Sequence, residues 1–286
     1  MTQRELKKEG VAVIAAATLI AGTLPANAQE EESIDISEFV LIQPATDVPV
    51  YGWQGIDFEK AESIFSEMTY TATAGWYSRY VCEGVDLWGT GYGVVTLGAN
   101  YDNRWFLGFW YGKTEKNAPN GRNYGETKLR LDYKISLGSL EIIPWFEQSF
   151  VHQANNHGIP RPGVKTVFHL TDIFSAGTDF YWQDSDEITG ERGKFLGYYA
   201  VYVAANYAPT EDLSFNAVIR YGYNGGYVHH VPHGSNAIDY TLSASYAISD
   251  WWNIDALIAY SQALTVLRHE DLGDELYGGI SLRFTY

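Results

Sequence analysis

The sequence predicts an all-β protein: a transmembrane antiparallel up-and-down β-barrel of twelve strands, with ten as the alternative count. Three observations predict it. A hydrophobic period of two runs from Tyr70 to the last residue, the apolar faces begin or end on aromatic residues, and the connections alternate between short and long.

The chain begins before the barrel does. Arg4, Lys7 and Lys8 precede a short apolar stretch, Val11 to Ile20, and Ala26-Asn27-Ala28 offers small residues where a signal peptidase reads. Residues 1–28 are therefore expected to be a removed signal peptide, and their apolar core is too short for a permanent membrane helix. Residues 29–68 differ in character from the rest of the chain. They open on Glu30-Glu31-Glu32, contain Pro44 and Pro49, and offer one amphipathic stretch, Asp57 to Met68, with Phe58, Ala61 and Phe65 at helical spacing. They read as a periplasmic N-terminal extension, with a plug in the barrel as the other possibility; the barrel itself is expected over 69–286.

From Glu126 to Ser136, the charged Glu126, Lys128, Arg130, Asp132 and Lys134 alternate with Leu129, Leu131, Tyr133 and Ile135. Successive side chains of a strand point to opposite faces, so one face is a charge ladder and the other apolar. Ile238 to Ile248 repeats the pattern with smaller polar residues, Asp239, Thr241, Ser243 and Ser245. Leu213–Asn224, Trp252–Ser261 and Leu276–Tyr286 alternate in the same way. The aromatics that bound the apolar faces, among them Tyr70, Tyr101, Trp105, Tyr207, Tyr221, Tyr223, Trp252, Tyr260 and Tyr286, fit girdles at the two edges of a bilayer. In the last strand Gly278, Ile280, Leu282, Phe284 and Tyr286 share the outward face, and the strand is expected to close the barrel against the first one near Tyr70.

Short links are expected at Asp102-Asn103, Gly138-Ser139, Pro209 to Asp212 and Ser249-Asp250. Long ones are expected at 82–91, 114–125, 152–163, 184–193, 225–236 and 265–274. Short and long must alternate, so residues 165–183 must hold two strands, 165–170 and 179–183, about a turn at Ser175-Ala176-Gly177. That count gives twelve and places both barrel termini in the periplasm.

The formal net charge of −16, −17 after removal of residues 1–28, argues against nucleic acid as a partner, because backbone neutralisation needs clustered Lys and Arg. The single cysteine, Cys82, cannot form an internal disulfide. Candidates for the inner face are Arg79, Arg104, Lys128, Arg130, Asp132, Lys134, Glu141, Glu147, Arg220, Asp239, Asp255 and Arg283, together with Glu126. Mixed charges inside a wet channel bias which solutes pass, or pair and fill it. No cofactor or metal is expected: His229-His230-Val231-Pro232-His233 reads as a solvated loop, and Asp184, Asp186 and Glu187 as a solvated acidic one. No enzyme is expected either. Ser149 and His152 are close in sequence, but residues three apart on a strand face opposite ways.

Trp76-Tyr77-Ser78-Arg79-Tyr80-Val81-Cys82-Glu83-Gly84-Val85, followed by Leu97-Gly98-Ala99-Asn100-Tyr101 and Trp105-Phe106-Leu107-Gly108, resembles the TorF-type outer-membrane porin family. Two positions depart from its pattern: Glu83 stands where that family usually has Arg, and Cys82 where an aromatic is common. The resemblance implies an outer-membrane barrel with a channel role and carries over no catalytic residue. The expected partners are outer-membrane lipid, barrel-insertion machinery that reads the C-terminal aromatic, and small hydrophilic solutes or ions in passive passage. The alternative is a filled structural or adhesion-type barrel acting through its loops or N-terminal extension.

Overall fold

Period-two segments bury one face only if their backbones find partners on both edges, and closure removes the last unpaired edge. In the computed structural model, which describes residues 67–114, 124–152, 158–184, 195–226 and 233–286, they do so by closing on themselves. The signal segment, nearly all of the extension, Asp186, Glu187 and His229–Pro232 lie outside the described residues.

The elements are β1 (Met68–Tyr77), β2 (Val81–Cys82), β3 (Val85–Asp86), β4 (Tyr92–Tyr101), β5 (Trp105–Thr114), β6 (Gly125–Tyr133), β7 (Ile135–Leu137), β8 (Leu140–Val151), β9 (Gly158–His169), β10 (Phe174–Asp184), β11 (Phe195–Tyr207), β12 (Leu213–Gly225), β13 (Gly234–Ala247), β14 (Trp252–Ala263), a short helix α1 (Thr265–His269) and β15 (Glu275–Thr285). β6 and β7 are two halves of one strand, both paired with β8, so the ring has twelve members. β15 closes it against β1, from Thr71↔Thr285 to Tyr77↔Gly279. Tyr70 and Tyr286 exchange both backbone hydrogen bonds at the seam, at 2.7 and 2.9 Å.

The links at one end are short and those at the other long. Asp102 and Asn103 both take positive φ, as does Gly138, which is the backbone that tight hairpin turns demand. The outward faces carry Leu129, Leu131, Leu242, Ile258 and Ile280, all exposed, as a lipid-facing belt should be. Aromatic pairs flank the belt: Trp105 with Tyr133 and Trp251 with Tyr286 at the turn end, Phe180 with Tyr199 and Tyr240 with Tyr260 at the loop end.

The structure corrects one turn. β9 and β10 are long strands joined at Leu170–Ile173, where the Thr171 hydroxyl accepts from the N–H groups of Ile173 and Phe174. Ser175, Ala176 and Gly177 lie inside β10 instead. Pro160 and Pro162, which read as loop residues, lie in β9. The β10 ladder stops at Gly163↔Tyr181, so that part of β9 pairs with β8 alone, and a proline there breaks no second ladder. Pro144 explains the break between β6 and β7 in the same way, since it falls in the gap where the ladder to β8 is interrupted.

Glycines on the inner face let aromatic rings lie flat on the wall. A Cβ at Gly163 would strike the Trp145 ring, at Gly177 that of Tyr202, and at Gly222 that of Tyr198. Cations cover the other side of several of these rings: Arg130 over Trp145 at 4.4 Å, Lys165 over Tyr202 at 5.4 Å, and Arg220 over Tyr198 at 5.2 Å.

Candidate functional site: a loop folded into the lumen

The link between β1 and β4 is long, and its middle is a miniature hairpin. β2 and β3 pair through Cys82↔Val85, and the two residues between them, Glu83 and Gly84, take φ of 53° and 83°. Two successive positive φ values make a type I′ turn, which costs a Glu strain that other interactions must offset. The surroundings of Glu83 supply them.

The Glu83 carboxylate, only 8% exposed, accepts hydrogen bonds from the Tyr181 hydroxyl at 2.8 Å and from Arg220 Nη1 at 3.1 Å. The Asn236 side-chain amide donates to the Glu83 carbonyl. Tyr181, Arg220 and Asn236 belong to β10, β12 and β13. In the ring, β1 and β10 are six strands apart in either direction, so they stand diametrically opposite. The hairpin therefore leaves β1, crosses the bore and docks on the far wall.

Its two flanks are held as well. On one side the Tyr80 hydroxyl donates to Glu126 Oε2 at 2.7 Å and accepts from Lys128 Nζ at 2.7 Å, while Ser149 donates to the other Glu126 oxygen. Tyr80, Trp88, Tyr92 and Trp110 stack around that point, with centroids 4.3 Å apart for Tyr80 and Trp88. On the other side Val85 packs with Leu267 of α1, and a Cβ at Gly84 would collide with Leu267 and Ala237. Arg79 joins Asp86 at 3.6 Å and also meets Glu275.

These cross-bore contacts fix which face of each strand points inward, and strand alternation gives the rest. Lys128, Arg130 and Asp132 share the inner face of β6, and Arg130 Nε donates to Asp132 at 2.8 Å. Glu147 of β8 meets Arg161 of β9 at 3.1 Å. Asp239 and Asp179 lie 3.7 and 3.8 Å from Arg220. Nearer the turn end, Arg283 grips Asp255 through two bonds of 3.0 and 3.1 Å, and Lys134 lies 3.8 Å from Glu141. Two of the residues proposed from sequence are not on the barrel wall. Arg104 belongs to the β4–β5 turn beside Asp102, and Arg79 to the inserted loop; at both positions the strand alternation has already ended. Ser149 and His152 face apart, Ser149 toward Glu126 and His152 toward Thr127.

Sequence reasoning missed Glu83, Tyr181, Tyr198, Arg161 and Lys165. The one available signal lay in the loop itself: Tyr80-Val81-Cys82 and Val85 are too apolar for a solvated link.

Exposure then divides the lumen. Side chains of Glu126, Glu83, Arg161, Glu147 and Lys128, around the inserted loop, are 5–15% exposed. Those of Asp132, Glu141, Asp255, Lys134 and Arg283, toward the turns, are 19–37% exposed. The charges that flank the inserted loop are the most enclosed, and those toward the turns are more open.

The architecture is shared with solved structures. The NanC porin superposes with a TM-score of 0.53 at 12% identity, over 75% of this chain and 98% of that one. A KdgM porin in complex with disordered oligogalacturonate gives 0.50 at 10% identity, over 76% and 99%. An outer membrane channel from Pseudomonas putida F1 gives 0.50 at 10%, over 77% and 96%. The fold is that of the outer-membrane porins. No family model and no curated protein matches the chain.

Proposed function

We propose that this chain is an outer-membrane porin that passes small hydrophilic solutes and ions through a narrow lumen, with its long loops outside the cell and both barrel termini in the periplasm. One observation carries the reading. The inward residues toward the turn end, such as Thr71, Thr73, Ser243 and Ser245, are too short to fill a twelve-strand bore, and the charges among them are solvent-accessible. Side chains fill a barrel of about eight strands, and wider ones need a plug or hold water. Here the plug is the loop 78–91, and it occupies the loop end only.

The resemblance to TorF-type porins supports the same reading, since the residues that carry it, Trp76 to Val85, run into the segment that enters the lumen. The aromatic C-terminus, Tyr286, supports delivery by barrel-insertion machinery. Purified, refolded protein in a planar bilayer is expected to give discrete, small conductance steps that scale with salt. Silence across a range of salts would contradict the reading and point to a filled barrel.

A further inference from the structure

Beneath the inserted loop, between the walls formed by β1, β4, β5, β6 and β8, lies a cavity of about 410 Å3, within the size range of small-molecule sites. Tyr80 of the loop lines it, along with Phe106, Thr71, Thr96, Arg130 and Glu147. Two of these residues are not explained by the packing around them.

The first is Phe106. Its ring lies over Gly98 and Gly108, so it is pressed flat against the wall. Trp110, Trp145, Tyr198 and Tyr202 each carry a cation above the ring, yet among the described residues Phe106 has neither a cation nor an aromatic partner. An apolar face turned to a wet lumen is unfavourable until something apolar covers it.

The second is Arg130. Its Nε donates to Asp132 and its guanidinium stacks on Trp145, which fixes the plane of the group. Among the described residues no acceptor lies within hydrogen-bond reach of its two terminal nitrogens, and the side chain is 32% exposed. A held guanidinium with an open pair of N–H groups matches a carboxylate in bidentate fashion.

We propose that this cavity is a binding subsite for an acidic sugar of the hexuronate class, with the ring on Phe106 and the carboxylate on Arg130. The proposal rests on the porin reading and names the solute class that the lumen favours. A pyranose has one face of C–H groups suited to an aromatic platform, and a rim of hydroxyls. Thr71, Thr96 and the second oxygen of Glu147 stand around the cavity to receive that rim. Arg161 at 3.1 Å already balances the Glu147 charge, and Lys128 also lines the cavity, so the site as a whole favours an anion.

The test needs no variant at its first step. Glucuronate, its uncharged methyl ester and glucose are titrated against the refolded full-length barrel by calorimetry, and the same preparation is recorded in bilayers. Glucuronate is expected to bind at least about tenfold more tightly than either neutral sugar, the scale of a charge-assisted bidentate contact. Arg130→Gln should erase that preference, while Phe106→Ala should weaken all three sugars together. Heat-modifiable migration on gels confirms that each variant is folded. Conductance without sugar preference in the wild type overturns the subsite and leaves the porin reading standing. Sugar preference without conductance supports the subsite and overturns the porin reading.

Discussion

Replacing Arg220 with alanine is expected to release the inserted loop and raise single-channel conductance severalfold while the barrel stays closed. Arg220 sits among Glu83 at 3.1 Å, Asp239 at 3.7 Å and Asp179 at 3.8 Å. Removing the cation leaves three carboxylates facing one another with little water. Breaking a buried ion pair from one side costs about 3–5 kcal/mol, an upper figure here because the Arg220 side chain is 23% exposed. A strand cannot move away from that repulsion, since Asp239 and Asp179 are fixed by ladders on both sides. The loop can. Swinging out hydrates Glu83 and relieves the positive φ at that residue, so the loop opens before the barrel unfolds. Combining Arg220→Ala with Glu83→Ala should restore part of the lost stability, because the displaced carboxylate is gone. Bilayer recording and a double-mutant cycle in denaturant check the two halves of the expectation.

Cys82 reports the same event through its own thiol. It lies on β2, at the edge of the inserted turn. Burial pushes its thiol up from the usual range, and the neighbouring Glu83 carboxylate adds to that effect. Thiolate is the reactive form, so in the wild type modification by a polar maleimide should stay slow from pH 7 to pH 9, a range spanning the ordinary thiol value of about 8.5. In Arg220→Ala the rate should rise by roughly one to two orders of magnitude at pH 8 and climb with pH as an exposed thiol does. Equal rates in the two proteins would mean that the loop does not shield the cysteine.

Much of the fold was legible because lipid and water demand different residues on alternate positions. The Glu126–Ser136 ladder and the outward set of the last strand are written in the period of two, and seam pairing near Tyr70 follows from closure. The β9–β10 hairpin was harder. Pro160, Pro162 and Gly163 look like breakers, and nothing local shows that the first residues of β9 pair on one side only. The lumen was half legible. Parity placed Lys128, Arg130, Asp132, Asp239, Asp255 and Arg283 on one face of their strands, but parity says nothing about a loop that turns inward. The bond from Arg220 to Glu83 joins residues 137 apart in sequence, a contact no local pattern encodes. Glu83 drew notice as a departure from a family pattern, and the same residue is the hairpin's anchor on the far wall.

The central claim is that a water-bearing barrel is narrowed at its loop end by its own first loop. Tyr77 and Tyr92 are directly paired, so a short Gly-Ser turn can replace residues 79–90 without altering the strands. The single-channel conductance of that variant, recorded beside the wild type in the same salt, is the most direct measurement. A severalfold larger conductance from a barrel with unchanged heat-modifiable migration is the predicted result. An unchanged conductance from the folded variant would contradict the account.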